Sequence, residues 1–305
     1  ILDRETGYVK PVLAVLEDAH WIDPTTLKLL ELARDRIDDH RLMLLVTARP
    51  TFGGAFGSHP AVSHLSLNRL GRESIFQIIE RVSHPKTLPP GLMREIATKT
   101  DGVPLFVEEL TKTLLESGQL RDTGQAYQFD GQIDRLTIPS SLRDTLMARL
   151  DRAHQIKEVA QTAACIGREF AWPLLAAVSP LTPERLDEAL EQLVDAELVF
   201  RRGTPPQATY AFKHALVRDA AYDSLLMARR AVIHAALLKH LQTDDSVQPQ
   251  ILAHHAAAAG LMSEAADHWE RAGERAAARS TFGEAIGHFE QALHCVGALD
   301  GANPN

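Results

Sequence analysis

Two cysteines in 305 residues, Cys165 and Cys295, are too few and too far apart for a disulfide framework or a C-x-x-C metal or redox pair. A reduced, cytosolic setting follows as the expectation. Long hydrophobic runs are missing too: no stretch approaches the ~18 to 20 apolar residues that span a bilayer, and the first residues lack the basic-then-apolar order of a signal peptide. Basic charge is in short supply, with 32 Lys and Arg against 40 Asp and Glu and a net charge of -8. That balance opposes global attraction to nucleic acid or anionic lipid, although a local basic patch remains compatible with it. No Gly-x-Ser-x-Gly elbow or cysteine–histidine arrangement offers a nucleophile. The 14 histidines contain no i, i+4 pair, and the adjacent His254 and His255 would point about a hundred degrees apart on a helix, so zinc is not indicated. What is present is ordinary globular composition, 45% hydrophobic and 24% charged, in a chain long enough for more than one core. The chain starts at Ile1 rather than Met, which suggests that the natural N-terminus lies further upstream.

The informative stretch is VLAVLEDAHWIDPTTLKLL, beginning at Val12. Val12 to Leu16 is a short, wholly apolar run of the kind buried in parallel sheets, and it ends on two carboxylates, Glu17 and Asp18. Asp23 followed by Pro24 reads as an N-cap with proline at the first helical position, and Leu27, Leu29, Leu30, Ala33 and Ile37 supply a helical apolar face to about Asp38. A second apolar run, Leu42 to Val46, ends in Thr47-Ala48-Arg49-Pro50. Strand, helix, strand predicts a βαβ unit with Glu17, Asp18, Thr47 and Arg49 on one edge, where open α/β sheets place ligands. Carboxylates there can hold a magnesium ion through its waters and polarise an attacking water, and an arginine can neutralise a terminal phosphate. The same residues also read as an ordinary solvated strand end.

Three ordered segments carry a resemblance. VLAVLEDAHWIDPTTLKLL resembles the Walker B segment of the STAND branch of AAA-type P-loop ATPases, LMLLVTARP their sensor 1 strand, and DGVPLFVEELTKTLLESG their G-x-P element. The resemblance implies an ATP and Mg site with Glu17 on the metal side, Asp18 activating water, Arg49 sensing phosphate, and Gly102 and Pro104 on the adenine side. One part is missing: a P-loop needs G-x-x-x-x-G-K-S/T to cradle phosphates, and no Gly-Lys dipeptide occurs anywhere. The chain thus reads as a fragment cut between the two motifs, with a degenerate, inactive ATPase as the alternative.

Further along, Ile75, Ile78, Ile79 and Val82 lie at helical spacing, Leu92 to Thr100 makes a second helix and Pro104 opens a third that stops at Gly118. These resemble the helical lid of AAA-type proteins; a plain helical bundle fits the pattern equally. Gln119 to Ile138 is a polar linker or short hairpin. Pro139-Ser140-Ser141 with Asp144 forms a capping-box start, helices follow over about 156–166 and from the Thr182 cap, and two strand candidates, 198–202 and 209–212, flank a Gly-Thr-Pro-Pro turn. That order is a winged-helix pattern. Its would-be recognition helix carries Glu184, Asp187, Glu188, Glu191, Asp195 and Glu197 against Arg185, which opposes DNA phosphate, and Arg201 and Arg202 make a weak basic footprint on the wing.

From Phe212 onward the chain reads as alanine-dense helices. EAADHWERA at Glu264 and EAIGHFEQA at Glu284 repeat at an offset of twenty residues, similar to one helix-turn-helix unit of a tetratricopeptide (TPR) array that continues past Asn305. The expected architecture is mainly α with a partial α/β P-loop NTPase core at 1–65, a helical lid and linker at 66–137, a winged helix at 138–212 and TPR-like helices at 213–305. Nearly the whole chain resembles the ATPase-plus-repeat region attached to bacterial class III adenylate or guanylate cyclases. The resemblance implies a nucleotide-dependent switch, ATP as ligand, a protein partner on the C-terminal repeats and self-association, while the missing apolar runs and the acidic charge speak against membrane insertion and direct DNA contact. A non-enzymatic interaction scaffold, or the regulatory part of a transcription activator, is the alternative.

Overall fold

The computed structural model describes residues 11–37, 41–52, 59–129, 138–151 and 154–301. They are mostly helical and fall into two compact units, the first made of 1–66, 246–257 and 261–305, the second of 67–245 and 258–260.

In the first unit, β1 (Val12–Leu16) and β2 (Leu42–Val46) pair in parallel, Val12 opposite Leu42 and Leu16 opposite Val46. The in-register pairing brings both C-terminal ends level. α1 (Pro24–Arg34) starts where Asp23 accepts a 2.8 Å bond from the Thr26 amide and ends four residues earlier than the apolar pattern suggests. Leu13, Val15, Met43 and Leu45 stand exposed on a single face of this two-stranded sheet, an arrangement that a parallel pair does not sustain by itself because parallel sheets bury both faces.

The second unit holds two apolar cores. α2 (Arg72–Ser83), α3 (Pro90–Thr100) and α4 (Pro104–Glu116) pack Ile75, Ile79, Leu92, Ile96, Val107, Leu110 and Leu114 together, and the polar stretch that follows forms a small hairpin, β3 (Arg121–Asp122) with β4 (Tyr127–Gln128). The second core belongs to α5 (Leu142–Asp151), α6 (His154–Ile166), β5 (Glu169–Ala171), α7 (Trp172–Val178), α8 (Pro183–Asp195), β6 (Val199–Arg202) and β7 (Thr209–Phe212). The sheet order is β5-β7-β6, all antiparallel, the topology of a winged helix. β5 and α7 are additions to the sequence reading: a three-residue strand shows no periodicity, and only pairing with β7 defines it. Ser141 caps α5 as anticipated, its hydroxyl accepting the Asp144 amide at 3.1 Å while Ser140 donates to the Asp144 carboxylate at 3.0 Å. At the start of α8 the Thr182 carbonyl accepts from the Leu186 amide at 2.9 Å, but its side chain makes no capping bond to the helix backbone. On α8, Leu186, Ala189, Leu190 and Leu193 are buried, and Glu184, Glu188, Glu191 and Asp195 face water. The chain beyond β7 does not run into one long helix at once; α9 (Ala215–Asp223) is short and packs on α5 and α6, and α10 (Met227–Leu241) packs on α6 and α7.

α11 (Pro249–Ala258) precedes a helical hairpin of α12 (Met262–Ala278) and α13 (Phe282–Gly301). The two copies of the internal repeat occupy these two helices. Trp269 of the first copy stacks on His288 of the second, ring centroids 5.3 Å apart, and Gly273 lets Phe289 approach so closely that a Cβ there would lie 2.6 Å from its ring. The small residues Ala265, Ala272 and Ala276 of α12 and Ala285 of α13 are buried. Among the described residues no helix is long and apolar enough to cross a membrane.

Candidate functional site

The first cluster lies beyond the C-terminal ends of β1 and β2. The Thr47 amide donates to the Leu16 carbonyl at 2.9 Å, which extends the ladder one residue past the strands; the Asp18 amide then turns to the Thr47 hydroxyl at 3.0 Å, and the Ala19 amide to the Thr47 carbonyl at 2.8 Å. Asp18 adopts a left-handed backbone, φ 54° and ψ 41°, which aspartate tolerates better than most residues but at some cost. It opens a short 3-10 turn, Ala19–Trp21, whose Ala19 is buried, and a second such turn, Pro50–Phe52, follows β2. The sheet edge therefore gathers Glu17, Asp18, Thr47 and Arg49, as the βαβ reading requires.

Two further side chains join it that the pattern of charges did not bring forward. Trp21 is 76% exposed, and the Arg49 guanidinium lies over its ring at 5.8 Å from the centroid, within range for a cation–π contact. His20 packs its ring against Trp21 at 5.2 Å, and both its ring nitrogens are buried without a hydrogen-bond partner among the described residues. The signal was there in the His-Trp step one residue after the acids. Nearby, Asp23 is held below the usual carboxylate range, first by the Thr26 hydroxyl and then by the Thr26 amide, as befits a working helix cap.

Gly102 and Pro104 belong to the other unit and do a visible structural job there. Asp101 and Gly102 both have left-handed backbones, φ 46° and 72°. The Gly102 carbonyl accepts from the Leu70 amide at 2.9 Å, and a Cβ on Gly102 would stand 2.6 Å from the Leu70 oxygen. Arg69 closes the loop by donating to the Asp101 carbonyl at 2.9 Å and pairing with its carboxylate at 2.6 Å. Pro104 occupies the first turn of α4, where its missing N–H costs nothing.

The chemistry open to the strand-edge cluster is that of a hard cation and an anion. Among the described residues no three His, Cys, Asp or Glu side chains come together as a metal-binding group, so a cation on Glu17 or Asp18 would complete its shell with water or a bound phosphate, as Mg²⁺ commonly does. On the wing, Arg201 is paired with Glu191 of α8.

No protein-family model matches the chain. Over 296 residues, 95% of its length, it is 28% identical to an uncharacterized protein of Rhizobium meliloti (strain 1021), of which the match covers 28%. Among solved structures it resembles a Signal Transduction ATPase with Numerous Domains (STAND) protein with a tetratricopeptide repeat sensor from Pyrococcus horikoshii. The TM-score is 0.54 at 10% identity, covering 94% of this chain and 43% of that one. The chain thus shares the mostly helical fold of that structure, and it spans less than half the length of the proteins it matches.

Proposed function

We propose that this chain is the switch region of a STAND-type ATPase within a larger signalling protein, and that the edge of β1 and β2 is half of its nucleotide site. The observation that carries the proposal is the in-register parallel pair that sets Glu17 and Asp18 beside Thr47 and Arg49, with Asp18 in a left-handed backbone bonded to the Thr47 hydroxyl. Strained backbone of this kind concentrates at functional sites. In this reading Glu17 would hold Mg²⁺, Asp18 would orient and deprotonate the attacking water, and Arg49 would balance charge on the terminal phosphate.

The exposed sheet face of Leu13, Val15, Met43 and Leu45 fits strands supplied by an upstream segment that also carries the phosphate loop. The protein extended by that segment then binds ATP, Mg²⁺ lending its charge to the phosphates, while exchange or hydrolysis repositions the winged helix and the repeats. The Rhizobium protein, much longer than this chain, is compatible with such an arrangement. A nucleotide cyclase domain further upstream is the output that the sequence resemblance favours.

Calorimetry with Mg-ATP separates this from a purely scaffolding role. The 305-residue chain alone is expected to bind weakly and not to hydrolyse, and the extended protein to bind tightly. Tight binding by the short chain, or none by the extended one, overturns the reading. An interaction role for the C-terminal helices has its own support in α13, where Phe282, Ile286, Leu293 and Val296 are exposed along one helix.

A further inference from the structure

Of the three tryptophans, two are partly buried and engaged: Trp172 donates its Nε1–H to Asp187 at 2.6 Å, and Trp269 stacks on His288. Trp21 stands 76% exposed and adds little to a core. Its position is nonetheless fixed. The Trp21 amide donates to the Asp18 carbonyl at 3.0 Å and the Phe52 amide to the Arg49 carbonyl at 2.9 Å, and the two 3-10 turns closed in this way lie against each other beyond the level ends of β1 and β2. His20 packs beside the indole at 5.2 Å, and the Arg49 guanidinium lies over it at 5.8 Å. Among the described residues that guanidinium forms no ion pair and no hydrogen bond, although Glu17 and Asp18 share its edge.

An exposed cation–π contact and an exposed ion pair are of similar, modest strength, so an aromatic ring can hold an arginine that stands near carboxylates. The two differ in what they leave over. An ion pair with Glu17 or Asp18 would occupy guanidinium N–H groups and cancel the charge that the acid needs for a cation. A ring face consumes neither the N–H groups nor the acid. We propose that Trp21 is a positioning residue for Arg49: its ring holds the guanidinium at the strand edge, apart from the two acids, with N–H donors available to the oxygens of a terminal phosphate. That the anion is a phosphate rests on the nucleotide reading of this edge; the stacking of Arg49 on the ring does not.

Two measurements test the role. In the 305-residue chain, nitrogen–proton NMR resolves the arginine Nε–H groups, and Arg49→Lys assigns the Arg49 signal. The ring current of Trp21 is expected to displace that signal from those of solvated arginines; it should stay displaced in Trp21→Phe and join them in Trp21→Leu. In the protein extended upstream, single-turnover hydrolysis of Mg-ATP is expected to fall about tenfold in Trp21→Leu with the affinity within about threefold of the parent, because a misplaced charge costs the transition state more than binding. Trp21→Phe should recover the rate to within about threefold, since a second ring face can take the cation. Trp21→Leu added to Arg49→Ala should cost nothing more, as one residue acts through the other. An Arg49 signal unmoved by Trp21→Leu overturns the proposal, and so does a further loss in the double variant. Full hydrolysis in Trp21→Leu beside a defect in Arg49→Ala removes this role and leaves the nucleotide reading standing. Full hydrolysis in both Arg49→Ala and Asp18→Asn overturns that reading, and the role of Trp21 with it.

Discussion

Replacing Gly102 by alanine asks whether this glycine serves the fold before any ligand. The residue sits at φ 72°, and the new Cβ would meet the Leu70 oxygen at 2.6 Å, the Leu70 nitrogen at 2.9 Å and the Arg69 Cβ at 3.1 Å. Two of the three are backbone atoms tied down by the Leu70–Gly102 bond, so they cannot swing aside. The left-handed conformation alone costs a non-glycine residue about 1 to 2 kcal/mol. Forced displacement of packed backbone adds about 1 to 3 kcal/mol by analogy with overpacking. Gly118 supplies the control: φ is 70°, but nothing lies within 4 Å of its would-be Cβ, so Gly118→Ala carries the conformational cost alone. For a unit of this size, about 1 kcal/mol moves the midpoint about 2 to 4 °C. Thermal unfolding followed by circular dichroism should therefore show Gly102→Ala falling by roughly 4 to 20 °C and Gly118→Ala by roughly 2 to 8 °C. Equal shifts for the two variants would refute the steric argument and leave Gly102 as a ligand contact without a packing role.

Two other outcomes follow from the charges and thiols. Lys112 and Lys213 depress the Glu197 carboxyl to about 2 from its ordinary 4.5; a depressed acid stabilises the fold above the unfolded value and loses that contribution as pH falls toward 2. Thermal midpoints should drop between pH 5 and 2, and less so in Glu197→Gln; parallel profiles for the two proteins would contradict the pairing. Burial pushes the Cys165 thiol up to about 12 and raises that of Cys295, so neither should react with a thiol reagent at pH 8 until the chain unfolds. Prompt native-state labelling of Cys165 would show that its site opens.

How much of this was legible beforehand depends on how far apart the interacting residues lie in the chain. Val12–Leu16, Asp23-Pro24 and Leu42–Val46 declared their elements because strand composition and helix capping are local signals. The acids and Arg49 fell together because parallel pairing leaves little freedom at the strand ends. β5 escaped because Glu169–Ala171 becomes a strand only through β7, about forty residues on. The buried pair of Glu109 on α4 and Arg149 on α5 escaped for the same reason, its partners being forty residues apart. A hint did exist in Glu109, an acid set inside the apolar stripe of Phe106, Val107, Leu110 and Leu114. Trp21 and His20 were readable as neighbours of the acids, but the contact of Trp21 with Arg49 depends on β1 and β2 ending level with each other.

The central claim, that Glu17 and Asp18 are the metal and water side of a nucleotide site, is tested most directly by Asp18→Asn in the protein extended upstream to include a phosphate loop. Single-turnover hydrolysis of Mg-ATP should fall by about a hundredfold or more while the calorimetric affinity for Mg-ATP stays within a few-fold of the parent. Full hydrolysis in the variant, or loss of binding with no hydrolytic defect, would contradict the assignment.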